Sequence, residues 1–345
     1  MSFNQIIKHK DSNILFTTPS HSQKFCIFNK FRNFYKFDIS ETETHAPEEM
    51  LKQAEINAAK IYSVYKTKFL TNGSTSGILA AVLASVNVGD KVLIWKNAHR
   101  CHHNALRLAG AIPVYYDLPI SEEFGVPIGF NNFEQYLNSD IKALIVTSPS
   151  YEGYVSDIKQ IKQACDKFGI YLIVDEAHGA LYPFSSELPE SAVNYADFTV
   201  QSLHKTAGGL NPTALLHVNC ESDIDKALGL ISTTSPSYPL LLTIEKNINY
   251  LNSQKGRKEI SKLINNLKEF RKNVSNIKFG GDDITKILIK KDGYTGYELS
   301  DKLYSLGIED EKTNSVSTML LTGIGTKKSK LKKLEIALNK IYVLN

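Results

Sequence analysis

Long apolar runs are scarce in this chain of 345 residues: the longest, GILAAVLASV at 77–86, is far too short to cross a bilayer. The opening segment MSFNQIIKHKDSN lacks the apolar core of a secretory leader. Paired cysteines are missing as well. The four that occur, Cys26, Cys101, Cys165 and Cys220, are scattered, which excludes a disulfide framework and points to a reducing compartment. Charge of one sign is not abundant either. The formal net charge is +4, short of a nucleic-acid footprint, and much of it sits in KKSKLKK (327–333), which reads as the polar face of a helix. These absences predict a cytoplasmic protein that binds neither membrane nor nucleic acid. What is present, 42% hydrophobic and 22% charged residues over this length, suffices for a large domain and a smaller second one.

Three short runs rich in branched residues stand out: KVLIW (91–95), ALIVT (143–147) and YLIVD (171–175). Each is apolar on both alternating faces, the pattern of parallel strands covered on both sides. Between the last two, SDIKQIKQACDKFGI (156–170) repeats apolar residues at helical spacing and stops at Gly169. The strand–helix–strand unit makes the class α/β with a mostly parallel sheet. Helical patterns also cover 47–66 and 239–273. From about 276 the pattern shortens: strand-like KILIKK (286–291), helix-like GYELSDKLYSLGI (296–308), strand-like VSTMLLTGI (316–324), then a final helix from about 327. The expected organisation is an arm at 1–45, a large domain at 46–250, a connecting helix at 251–275 and a small α+β domain at 276–345.

Three local patterns carry chemistry. In LTNGSTSGILAAVLA (70–84), a Gly/Ser/Thr turn opens a helix, presenting unpaired N–H groups and the positive end of the helix dipole to an anion. Ser74, Thr75 and Ser76 add hydroxyl donors, although an ordinary helix cap would look the same. YLIVDEAHGA (171–180) places Asp175 at the carboxyl end of a buried strand, where open α/β sheets bind ligands. A carboxylate there needs a cationic or hydrogen-bonding partner. VQSLHKTAGG (200–209) sets Lys205 just past a further strand-like segment, DFTVQS (197–202), so Asp175 and Lys205 can share one sheet edge. A phosphate cradle, an acceptor for a pyridinium nitrogen and a Schiff-base lysine are together what pyridoxal 5'-phosphate requires. In AHRCHH (98–103), His99 and His103 share a helical face, but no second ligand cluster lies nearby, so no metal site is expected. Cys101 and His102 are taken as ordinary helix positions. Tyr151, at a strand's carboxyl end, is kept as a possible cofactor contact.

With TNGSTSG, NAHRCHHNALRLAGAIPVYY (97–116), SPSYEG (148–153), VDEAHGA, QSLHKT and TTSPSY (233–238), the chain resembles the bacterial ornithine/lysine/arginine decarboxylases. These are fold-type-I enzymes dependent on pyridoxal phosphate, with the aspartate-aminotransferase architecture. The likeness extends to PSH (19–21), DISETE (38–43) and GYELSDKLYSLGIEDE (296–311). The resemblance implies that Lys205 carries the cofactor, Asp175 pairs with its pyridine nitrogen and His99 stacks on its ring. It assigns the phosphate to Ser74, Thr75, Ser76 and Ser202, puts His178 beside the ring, and makes His204 a proton donor. Ser235 would complete a phosphate site across a homodimer, and Glu311 matches an acid near the substrate entrance. Glu152, Glu176 and Glu311 are candidates to meet a substrate's distal cation.

The chain also departs from the family. It stops where the family's additional C-terminal domain begins, and no N-terminal regulatory domain precedes the shared part. PSHS replaces Pro-Gly-His-Lys, and Pro212 stands where glutamine is usual. The implied activity is decarboxylation of arginine, lysine or ornithine. Transamination, or a non-catalytic subunit, are the alternatives. Aminotransferases usually clamp the substrate carboxylate with a small-domain arginine, and residues 272–345 contain none, which favours decarboxylation.

Overall fold

The computed structural model describes residues 37–39 and 48–341. All but residues 37–39 of the expected arm, including the PSH segment and most of DISETE, lie outside them. The main sheet has seven strands: β1 (Lys66–Leu70), β2 (Lys91–Trp95), β3 (Ile112–Tyr116), β4 (Ile141–Thr147), β5 (Tyr171–Asp175), β6 (Phe198–Ser202) and β7 (Ala214–Val218). Their order is β1-β7-β6-β5-β4-β2-β3. β7 runs antiparallel to both neighbours, whereas β6, β5, β4, β2 and β3 pair in parallel. All three apolar runs picked out by their composition lie in this parallel part. Their burial on both faces explains the lack of alternation.

Helices cover the sheet: α1 (Glu48–Tyr62), α2 (Gly73–Ser85), α3 (Arg100–Ala109), α4 (Ile158–Asp166), the single turn α5 (Leu203–Thr206), α6 (Ile224–Ile231), α7 (Tyr238–Asn252) and α8 (Gln254–Asn273). A second sheet follows, formed by β8 (Lys278–Gly280), β9 (Lys286–Lys290), β10 (Lys312–Thr313) and β11 (Thr318–Leu321) in the order β10-β11-β9-β8, with α9 (Gly296–Ser305) and α10 (Lys328–Lys340). It is antiparallel throughout.

Three expectations change in detail. The helix expected over 47–66 ends at Tyr62, and Lys66–Leu70 is a strand. There Lys66 and Lys68 reach the exposed Asp225, Lys68 also pairs with buried Glu55, and Thr67 and Phe69 turn inward. The pattern over 239–273 is two helices, because Ser253 leaves helical geometry and its hydroxyl accepts the Gly256 N–H to start α8. The helix expected over 156–170 is confined to Ile158–Asp166, capped by Asp157, and Gly169 at φ +67° turns the chain after it.

Packing seats the site. α2 lies tight on the sheet because Gly77 has no side chain; a Cβ there would come within 2.7 Å of Val200 and 2.8 Å of Leu70. Fully buried Phe198, Ile173 and Leu172 lock β5 and β6, each worth about 1.5–3 kcal/mol of burial. The largest apolar cluster runs from α1 and the main sheet through α7 and α8 to Ile287, Leu299 and Leu334 of the second sheet and its helices. The two sheets therefore share one core.

Candidate active site

The carboxyl ends of β5 and β6 and the amino ends of α2 and α3 converge on one edge of the main sheet. Asp175 ends β5. Its Oδ2 lies 2.9 Å from His102 Nε2, and its Oδ1 accepts the Ala177 N–H at 3.2 Å. Burial would push this carboxyl up, but the hydrogen bond and charge of His102, followed by the Lys205 ammonium, hold it below the usual range. Asp175 is thus an ionised carboxylate held in the interior. The sequence reading treated His102 as an ordinary helix position, and the structure corrects that. α3 starts at Arg100, so its first turn faces the end of β5 and brings His102, 1% exposed, onto Asp175. The AHRCHH run marks the segment, but nothing local to it singles out His102, whose partner lies 73 residues away.

Lys205 sits in α5, directly after β6. Its Nζ is 3.0 Å from His178 Nε2, on the loop after β5. Burial lowers the lysine's pKa, opposed by Asp175 and reinforced by Lys286. Burial, with the charges of Lys286 and Lys205, also keeps the His178 ring neutral well below the usual histidine range. The result is an amine with a reduced affinity for its proton beside an uncharged imidazole.

The remaining expected residues divide. Ser202 is fully buried at the end of β6, and its hydroxyl has no protein partner. Ser74 is half-buried and Thr75 exposed at the start of α2, where Asn72 makes no side-chain cap. Ser76 donates its hydroxyl to the Gly73 carbonyl at 2.8 Å, so that proton is committed within the helix. Exposed His99 caps α3, its Nδ1 3.3 Å from the Cys101 N–H and 3.0 Å from Cys101 Sγ. His204 directs Nδ1 to the Thr213 carbonyl at 3.1 Å. Ser235 is exposed and bonded to Thr233 at 3.2 Å. Its loop contributes Thr233 and Pro236 to a cavity of about 180 Å³ that Asn72 and Ser76 also line. One cluster of metal-ligating types, Cys101, His102 and Asp175, has its donor atoms within 4.8 Å of one another. His102 and Asp175 are already bonded to each other, so it reads as a carboxylate–imidazole pair.

Among the candidate acids, Glu176 drops out. It is 1% exposed and accepts from Ser191 Oγ (2.7 Å), Ala192 N (2.7 Å) and Gln201 Nε2 (2.5 Å), and burial pushes its pKa up to about 7. A carboxylate so occupied beneath the sheet edge cannot meet a substrate. Glu311 lies within 2.5 Å of the Tyr151 hydroxyl, and the Tyr151 ring meets the His178 ring edge-on at 4.7 Å. Tyr151, kept open from the sequence, is therefore next to the lysine's neighbour.

These residues fit pyridoxal phosphate. The unpartnered Ser202 hydroxyl and the uncapped amino end of α2 suit a phosphate monoester. An ionised interior carboxylate suits a protonated ring nitrogen, and an amine with a weakened hold on its proton suits an aldehyde.

The family model for the Orn/Lys/Arg decarboxylase major domain matches residues 3–289. The chain belongs to this family. It is 28% identical to an arginine decarboxylase of Bacillus subtilis, over 95% of this chain and 74% of that protein. It is likewise 28% identical to an arginine decarboxylase of Bacillus anthracis, over 99% of this chain and 76% of that protein. The fold matches the solved constitutive lysine decarboxylase of Escherichia coli with a TM-score of 0.84 and 20% identity, covering 98% of this chain and 60% of the other. Thus the chain spans about three quarters of these two Bacillus relatives and 60% of that solved chain, less than two thirds of its length. The architecture is that of the fold-type-I enzymes.

Proposed function

We propose that this chain is a pyridoxal-phosphate-dependent decarboxylase that converts a basic amino acid (arginine, lysine or ornithine) to its amine and carbon dioxide. The observation that carries the reading is the pairing, at one sheet edge, of ionised Asp175 with half-buried Lys205. Family membership supports the substrate class, since relatives are named for arginine and lysine. When bound, the cofactor supplies an aldehyde that takes the substrate amine and a ring that draws electrons from Cα as carbon dioxide leaves.

The chain's own groups account for the rest. Lys205 would hold the cofactor, and Ser202, Ser74, Thr75 and the backbone around Ser76 its phosphate, while Ser235 could reach the phosphate of a partner in a homodimer. Asp175 holds a proton on the ring nitrogen, and His102 keeps it ionised for that task. His99, at the amino end of α3, would cover the ring. His178, neutral, accepts a hydrogen bond from the Lys205 amine. With Nδ1–H of His204 donated to the Thr213 carbonyl, Nε2 is left as the ring position that takes up a proton and can pass it on.

A product assay tests the reading. The protein, supplied with pyridoxal phosphate, is given L-arginine, L-lysine, L-ornithine and neutral amino acids, with amine and carbon dioxide followed by mass spectrometry. Agmatine, cadaverine or putrescine that disappears in Lys205→Ala is the expected result. Keto acids in place of amines would establish transamination instead. That alternative is disfavoured because Arg271, the last arginine, is turned toward the Lys286 carbonyl and the Phe279 ring.

A further inference from the structure

A cation of the chain itself sits on groups suited to a substrate's distal cation. Lys312, on β10, places Nζ 2.6 Å from Glu152 Oε1 and 5.0 Å from the centre of the Tyr151 ring. Glu152 is buried, its side chain 4% exposed, whereas the Lys312 side chain is 52% exposed and open to solvent. Glu152 has one other hydrogen-bonding neighbour, Ser150 Oγ at 3.5 Å. Tyr151 in turn touches Glu311 through its hydroxyl and His178 through its ring, and His178 touches Lys205. A buried carboxylate, an aromatic face and a second carboxylate, grouped around Tyr151, which meets Lys205 through His178, are what an ammonium or guanidinium group binds.

We propose that Lys312 is an internal stand-in for the substrate's distal cation: it occupies Glu152 and the Tyr151 face in the resting protein and is displaced when a basic substrate binds. This rests on the decarboxylase reading and deepens it. Seating Lys312 on Glu152 keeps a buried carboxylate from standing unpaired in the empty site. Displacing it charges every basic ligand with breaking that ion pair, while a neutral side chain that leaves Lys312 in place pays nothing. Lys312 therefore sets discrimination between charged and uncharged side chains and takes no part in the chemistry.

The experiment compares the cofactor-loaded protein with Lys312→Gln and Lys312→Arg. Dissociation constants for cadaverine, agmatine and n-pentylamine are measured by calorimetry. In Lys312→Gln, cadaverine and agmatine should bind roughly two- to fivefold tighter, the range one partly exposed ion pair is worth, with n-pentylamine unmoved. Lys312→Arg should restore the original preference. Equal changes for all three ligands, or weaker binding of the two dications, would overturn the proposal and leave Lys312 a structural tie between the sheets. Failure here is distinguishable from failure of the functional reading. A wild-type protein that makes an amine while the variants keep its ligand preference loses only the Lys312 inference. One that makes no amine, yet shows the preference shift, loses the decarboxylase reading.

Discussion

At the scale of single residues, the site depends on which groups keep their charge in the interior. His217, fully buried on β7, lies 3.0 Å from Thr67 Oγ1 and 3.3 Å from Gln201 Oε1, and burial pulls its pKa down to about 3. Its folded pKa is below the ordinary value near 6.5, so the unfolded chain binds the extra proton between those limits. Stability from this residue is therefore complete above about pH 6.5 and falls by about 1.4 kcal/mol per pH unit below it, down to about pH 3. Glu176, raised to about 7 from 4.5, runs the other way: its contribution is full below about pH 4.5 and lost as pH rises to about 7. Urea titrations of wild type and His217→Gln at several pH values between 4 and 7 should differ by the histidine slope alone; equal slopes would show that the ring is protonated in the fold. Lys205→Ala is expected to abolish amine formation while leaving the urea midpoint close to wild type, because the lysine is only half-buried.

Elements set where those residues stand. The break between α7 and α8 is made by Ser253, whose hydroxyl accepts the Gly256 N–H at 3.1 Å, and by Gly256, where a Cβ would come within 2.0 Å of the Tyr250 carbonyl. Ser253→Ala should lower stability by about 1 kcal/mol. Gly256→Ala should cost about 3 kcal/mol, near the upper end for an overpacked site, since backbone must move. Denaturant midpoints of the two variants check both. α2 tests the phosphate cradle in the same way. Gly77→Ala would force the helix off Val200 and Leu70, lowering stability by about 1–3 kcal/mol, and should weaken retention of pyridoxal phosphate in dialysis against buffer. The sequence made this helix legible through its turn chemistry, but the tight seat on the sheet follows from neighbours far along the chain.

At the scale of the whole molecule, the two sheets are joined by their common core and by hydrogen bonds from the main-sheet side to a buried ion pair beside the second sheet. Lys286, fully buried on β9, holds Asp283 at 3.1 Å, and Asp283 also accepts from Tyr182 at 2.8 Å and from Thr285. Lys286→Met would leave a buried carboxylate without its cation, and a loss of about 3–5 kcal/mol is expected from the denaturation midpoint followed through Trp95 fluorescence. The ion pair itself is local, Asp283 preceding Lys286 by three residues, but a lysine opening a strand reads as solvated until Tyr182 and the His178 carbonyl, from the main-sheet side, are seen to bury the pair.

The sequence by itself determined the α/β class, the parallel centre of the sheet, the Gly/Ser/Thr turn that opens α2 and the places of Asp175 at the end of β5 and Lys205 just after β6, since each follows from local period, turn chemistry or the end of a strand. It also held the family's motifs in order. Tertiary structure alone decided that β7 is antiparallel, that His102 of AHRCHH meets Asp175, that Glu176 is occupied, and that Lys312 rests on Glu152. The physical reason is common to all four. Pairing direction, burial and ionisation are set by groups distant in sequence, and a pattern within one window carries no information about what another window brings against it.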